Sequence, residues 1–418
     1  PLNPIFCKPA NRSEFVLLES RDQIIEGSGW GLMSSSLSKK FLVVFFISIY
    51  LVNVYFGWPI IQISGVRIAE YVDLAAIIKS GNLCSGKLGF WGFLDLSQPL
   101  PEDCSGFIYG RPLLALLSMA SIPLTWTTTI AILLGLTTAI VIALTIGLNL
   151  GSGTARVSLA ALAIFSPGVF LLFERANFDL LMILGVLLAT FLLSKGRFFT
   201  GLLVFGLTAV FKYYTLPLLL IAPFLFGRDR KQILFGSAFA ASISLYAVWD
   251  FSQLPRVPGD GYVQFGSGVL SHYFTHLGLD LSSMFSIGFG ILIPLVLGIF
   301  VFRSSKLTGD NLTLGSLFKF TSLNKSLFFT TVSTVFIACY FAGLNFDYRL
   351  VFLAIPGVIL LQSATGPKVN LYFLHTSLLV ALWGSAALGN SLNFGSDQLR
   401  FLVVGLFQLA GDTMVFGW

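Results

Sequence analysis

Continuous apolar runs constrain this sequence more than any other feature. They fall at 41–60, 111–124, 126–149, 157–173, 178–194, 199–226, 231–249, 283–302, 326–344, 348–363, 370–389 and 398–416. Crossing the hydrocarbon of a bilayer takes about 20 apolar residues as helix. Runs this long and unbroken exclude a transmembrane barrel, whose strands alternate apolar and polar residues. Only 11% of the 418 residues are charged, too few for the surface of a soluble domain of this size. The expected fold is an all-α polytopic membrane protein, a bundle of about 12 transmembrane helices with two long outer loops carrying juxtamembrane helices. The net charge of +6 then reports topology and calls for no nucleic-acid partner.

The polar gaps divide by charge. Lys39 and Lys40, Arg156, Lys195 with Arg197, the group Arg228, Arg230 and Lys231, then Arg303 to Lys325, and Lys368 carry the basic residues. The positive-inside rule places these gaps in the cytoplasm. The outer gaps are then the first loop, Glu174–Asp179, a stretch opening at Asp250, Asn345–Arg349 and Asn390–Asp397. Two runs need adjustment. Lys195 and Arg228 share a side only if 199–226 crosses twice, as two short spans meeting at a polar tip around Lys212. The run 111–124 makes about 21 Å of helix, too short to cross, and reads as a juxtamembrane or re-entrant helix.

The domain reading is a cytoplasmic tail at 1–38 and one transmembrane domain at 39–417. That domain holds an outer loop at 61–125, a second at 250–282 and a cytoplasmic linker at 303–325. The tail is polar and mixed, unlike a signal peptide. A short surface helix is expected near Tyr262–Leu277.

The chemistry-bearing residues gather at the outer gaps. The first loop holds Glu70, Asp73, Asp95, Glu102 and Asp103, dense acid in an acid-poor chain. Ionisable groups at membrane depth are costly and mark functional sites. Glu174, Arg175, Asn177 and Asp179 open one span, Lys212 sits at a tip, and Asp347 and Arg349 flank Tyr348. Such a cluster at one face suits a lipid headgroup better than an ion pathway. Each has a plainer reading. Arg175 and Asp179 stand four apart and can pair along a helix. Lys212 can snorkel to headgroups. Asp347 and Arg349 can be interfacial anchors, and Asp73 a solvated acid. His272 and His276 have metal-ligand spacing on a helix, but no carboxylate motif surrounds them, and no metal is assigned. Cys84 and Cys104 share the first loop and form a bridge if it faces an oxidising compartment; otherwise they are two free thiols.

At ERANFDLLMILGVLLATFLLSKGRFFTGLLVFGLTAVFKYYTLPLLLIAPFLFGRDRK the chain resembles glycosyltransferase family 87, polyprenyl-phosphate-sugar-dependent enzymes of the GT-C superfamily. The elements are R-x-N-F-D (Arg175, Asn177, Asp179), a Lys-x-x-x-x-Pro tip (Lys212, Pro217) and the basic run after it. YVDLAAIIKSGN adds an acid, Asp73, several residues before a Gly, Gly81. Tyr109 and Pro112 match a Tyr-x-x-Pro element, with Arg111-Pro112 where relatives often carry two prolines. The resemblance covers most of 41–250.

It implies an inverting transfer of mannose or another sugar from a polyprenyl-phosphate donor to a hydroxyl of a lipid-linked or cell-envelope glycan, without a cofactor or metal. Asp73 would be the general base. Lys212, Arg175, Arg349 and Arg111 would hold the donor phosphate, and Asn177, Asp179, Tyr109, Tyr213, His272, His276 and Asp347 would contact substrate. The enzyme would lie in a bacterial plasma membrane with both termini cytoplasmic and its site on the periplasmic side. The rival readings are a transporter or flippase of lipid-linked sugars, which needs no base, a non-catalytic scaffold, and a surface-glycan ligase or polymerase.

Overall fold

The computed structural model describes residues 29–57, 71–85, 87, 109–149, 161–253, 264–265, 292, 323–341, 345–363 and 382. Helix α1 is Gly29–Phe56, α2 Val72–Cys84, α3 Arg111–Ala120, α4 Thr127–Asn149, α5 Pro167–Glu174 and α6 Asp179–Ser194. Then come α7 Phe198–Phe211, α8 Leu216–Phe226, α9 Arg230–Ser252, α10 Leu323–Phe341 and α11 Val351–Ser363. Apart from turns, the regular structure of the described residues is helical save for a two-residue antiparallel ladder, β1 Gln264–Phe265 on β2 Asn345–Phe346.

Among the described residues, Leu124–Thr145 and Arg230–Ser252 are long and apolar enough to cross a membrane, and a third span results if α5 and α6 count as one bent element. Leu234, Phe235, Leu245, Val248 and Phe251 on α9 are exposed. So large an unpaired apolar face has no place in water and suits lipid. The windows 283–302, 370–389 and 398–416 lie outside the described residues apart from 292 and 382, as does most of the linker 303–325.

Several expectations shift. Helix α1 begins at Gly29, inside the stretch read as a tail, because Ser34–Lys40 contains no helix breaker. The run 157–173 is interrupted: Ser166 is extended and Pro167, whose ring suits a first helical turn, opens α5. α5 and α6 then meet at 109°. Helix α9 runs through Asp250 to Ser252, so Asp250 belongs to a span end and not to the second outer loop. Gln264 and Phe265 form a strand where a surface helix was expected. The break of 199–226 at Lys212 is present, with a 3-10 turn Tyr213–Thr215 between α7 and α8. α3, ten residues long, is too short to cross, as its sequence indicates.

α6 to α9 shape the site. α7 packs on α6 and α9, and α8 on α7 and α9. Their basic turns come together, since a Cβ on Gly196 would lie 3.0 Å from the Arg228 guanidinium. Their other ends meet where Tyr213 hydrogen-bonds Asp250. α10 joins α6 through Thr190 and Thr331, whose hydroxyls lie 3.1 Å apart. α2 and α3 lie against each other, α3 reaching α7.

Candidate active site

Asp73 sits in the first turn of α2, where the helix dipole favours a carboxylate. The chain enters that helix through Tyr71, held in the left-handed region at φ 56°, its amide donating to the Glu174 carbonyl at 2.8 Å. Side-chain hydrogen bonds come from the turn between α5 and α6. Arg175 Nη2 donates to Asp73 Oδ1 at 2.6 Å, and Asn177 Nδ2 donates to Oδ2 at 2.5 Å. Between these two donors Ala176 is also left-handed, at φ 45°. A non-glycine residue there costs on the order of 1–3 kcal/mol, and such residues gather at functional sites. Asp73 keeps 14% of its side chain exposed and Arg175 15%, so a path to solvent or ligand remains.

Beneath lies a buried layer. Asn177 Oδ1 accepts from Lys212 Nζ at 3.0 Å and from the Asp179 amide at 2.9 Å. Lys212 Nζ also donates to Asp179 Oδ1 at 2.6 Å. The Tyr214 hydroxyl donates to the same oxygen, and Arg349 Nε reaches Asp179 Oδ2 at 3.3 Å. Lys212 Nζ stands 4.9 Å from the Tyr109 ring centre, and Arg349 stacks at 5.1 Å on Tyr214. Asp179 is fully buried, a position a carboxylate tolerates only with this much pairing.

A second acid, Asp250, is also fully buried. It accepts from the Arg111 amide and the Tyr213 hydroxyl, each at 2.9 Å, and pairs with Arg111 Nε at 3.4 Å.

The plainer readings of three residues are corrected. Arg175 bonds Asp73 while Asp179 bonds Lys212 and Arg349, so no Arg175–Asp179 pair along the helix is needed: the turn at Ala176 separates them. Lys212 points inward to Asp179 instead of snorkelling, with 7% of its side chain exposed. Arg349 ties to the centre of the network and is more than an interfacial anchor. Asp73, Arg175, Asn177, Asp179, Lys212, Tyr109 and Arg349 are brought together. Arg111 and Tyr213 are engaged by Asp250. Asp347 opens the 3-10 turn Asp347–Leu350. His272, His276 and Cys104 lie outside the described residues. Cys84 is disulfide-bonded and Cys339 is a buried free thiol.

Tyr214 and the pairing of Asp250 with Arg111 are what the sequence reading missed. A tyrosine directly after Lys212-Tyr213 was the available signal for the first; no local signal marks the second. Among the described residues no group of three or more His, Cys, Asp or Glu could hold a metal ion.

Within this arrangement the stretch from Tyr109 to Asp250 supplies nearly every buried polar side chain of the site. Residues 107–286 match the model of glycosyltransferase family 87. That stretch of the chain is similar to glycosyltransferase family 87. The match begins after Asp73 and ends before Arg349, so the matched stretch contains most of the buried network and the Asp250 cluster, while α2 and the turn before α11 bring the two remaining charges. No curated protein and no solved structure matches the chain.

Proposed function

We propose that this membrane glycosyltransferase moves a sugar, mannose or another hexose or pentose, from a polyprenyl phosphate to a hydroxyl of a lipid-linked or cell-envelope glycan, inverting the anomeric centre. The observation that carries the reading is Asp73, a partly exposed carboxylate fixed by Arg175 and Asn177 against a buried cationic network. Each Asp73 oxygen accepts one bond from these side chains, and a carboxylate oxygen has a second lone pair. That lone pair is the base. The acceptor hydroxyl gives its proton to Asp73 as its oxygen bonds the anomeric carbon. The bond from that carbon to the phosphate oxygen breaks, and the electron pair leaves with the lipid phosphate.

The departing phosphate needs positive charge. Arg175 and Arg349, 15% and 17% exposed, are the cations with surface to offer, and Arg forks suit phosphate oxygens. Lys212 adds its charge from below while setting Asn177. The charge of Arg111 is directed to Asp250. In this reading the protein is a GT-C bundle of about 12 spans in a bacterial plasma membrane, with its site on the outer side and both termini inside.

The test is Asp73→Asn, assayed in lipid nanodiscs with polyprenyl-phosphate donors carrying mannose, other hexoses and pentoses. General-base catalysis contributes on the order of a hundredfold or more, so transfer should fall by about that factor with the fold intact. Undiminished transfer removes the base, and sugar-lipid transport without transfer by the wild type supports the flippase instead.

A further inference from the structure

Asp250 takes no part in the chemistry above, yet it is fully enclosed in the last turn of α9. Its Oδ2 accepts both the Arg111 N–H and the Tyr213 O–H, each at 2.9 Å. The Arg111 amide is the first of α3, where an N–H has no partner in its own helix. α3 is therefore capped by a side chain 139 residues further along the chain.

These bonds bracket Lys212. Tyr213 follows it directly. Tyr109, whose ring faces the ammonium, lies two residues before Arg111. Gly110 between them donates to the Phe211 carbonyl at 3.2 Å, and a Cβ there would come within 1.8 Å of the Val210 oxygen. The same anchor reaches Asp73 through α3. A Cβ on Gly81 of α2 would lie 2.6 Å from Leu117 Cβ of α3, and Asn82 Nδ2 donates to the Ile122 carbonyl at 2.8 Å. α2 is thus held at its start by Arg175 and Asn177 and along its length by α3.

We propose that Asp250 is a positioning residue for sugar transfer: through Arg111 and Tyr213 it fixes α3, Tyr109 and Lys212, and through α3 the helix that carries Asp73. The activity side of this rests on the glycosyltransferase reading. A distinctive consequence comes from both donors sharing one oxygen. An Asn whose amide oxygen replaces Oδ2 keeps both hydrogen bonds and loses only the ion pair, whereas Ala loses all three contacts.

The test compares full-length wild type, Asp250→Asn, Asp250→Ala and Thr190→Val in nanodiscs. The last removes a hydroxyl from the buried α6–α10 contact and serves as a stability control. In Asp250→Ala, amide hydrogen exchange should rise in α2 and α3 but not in α4. Its kcat should fall by about tenfold to a hundredfold, the size of effect a small misplacement of reacting groups produces. Donor KM should stay near the wild-type value, because the loss is in the transition state. Asp250→Asn keeps both hydrogen bonds but leaves the buried Arg111 guanidinium without the Asp250 counter-charge, so its exchange and kcat should lie between those of Asp250→Ala and wild type. Thr190→Val should lower Tm without either change.

Unchanged exchange in α2 and α3, or a kcat loss that only tracks Tm across both Ala and Val variants, overturns the proposal. If Asp250→Ala does not fold, Tyr213→Phe, which removes one of the bonds, should give an intermediate kcat loss; wild-type kcat there overturns it as well. A wild type that transfers from no donor defeats the glycosyltransferase reading, and the exchange comparison then decides the anchoring by itself.

Discussion

Lys212 donates to Asp179 and Asn177, and Asn177 in turn donates to Asp73. One ammonium therefore compensates a buried charge and orients the amide that holds the proposed base. Lys212→Met should destabilise the protein by about 3 kcal/mol, the lower range for breaking a buried pair, because Arg349 and Tyr214 still face Asp179. Asp179→Asn combined with Lys212→Met should recover part of that loss, since no unpaired charge then remains between the two, and thermal unfolding in detergent reads both. The identities of these residues were legible in the sequence: charges beside long apolar runs are costly and stand out. Their partners were not. Spacing of four joins Arg175 to Asp179, but a left-handed Ala176 turns the chain, and the actual partners lie 102 residues away for Arg175 and 33 and 170 for Asp179.

At the scale of elements, the site is built where helices break. α5 stops at Glu174 and α6 leaves at 109°, and α7 stops at Phe211 before a 3-10 turn. The second break was legible because Lys212-Tyr213-Tyr214 interrupts an apolar run. The size of the first bend was not, since apolar residues flank it on both sides and composition does not encode an angle. The second break receives α3 through Gly110, whose missing Cβ lets its backbone approach Val210, and Phe178 of the first break packs edge-on against the neighbouring Tyr109. Gly110→Ala should force α3 away from α7. Overpacking of this kind typically costs about 1–3 kcal/mol. Transfer should fall more than stability does, because Tyr109 and Arg111 both flank the substituted position; parallel melting curves and transfer rates check it.

Taken as a whole, α6 to α9 run back and forth between two ends. Asp179, Lys212 and Asp250 stand at one, and Lys195, Arg197, Arg228 and Arg230 at the other. α7 and α8, 14 and 11 residues long, make about 21 and 16 Å of helix against a hydrocarbon core of about 30 Å. The acids and Lys212 stand at the end of helices too short to reach across, so in the proposed arrangement, with the basic turns at one interface, they would lie below the opposite headgroups. In the proposed reaction, such a position would take the lipid phosphate from the bilayer side and the glycan from the water side. The proposed outer-leaflet donor rests on the basic turns, which the positive-inside rule expects in the cytoplasm. In a Cys7→Ser background, a membrane-impermeant thiol reagent should label Lys79→Cys, on the exposed face of α2, in intact cells. Lys195→Cys and Arg228→Cys should label only after permeabilisation. The reverse pattern would turn the site toward the cytoplasm, and the donor would then have to be drawn from the inner leaflet with the same residues in the same roles.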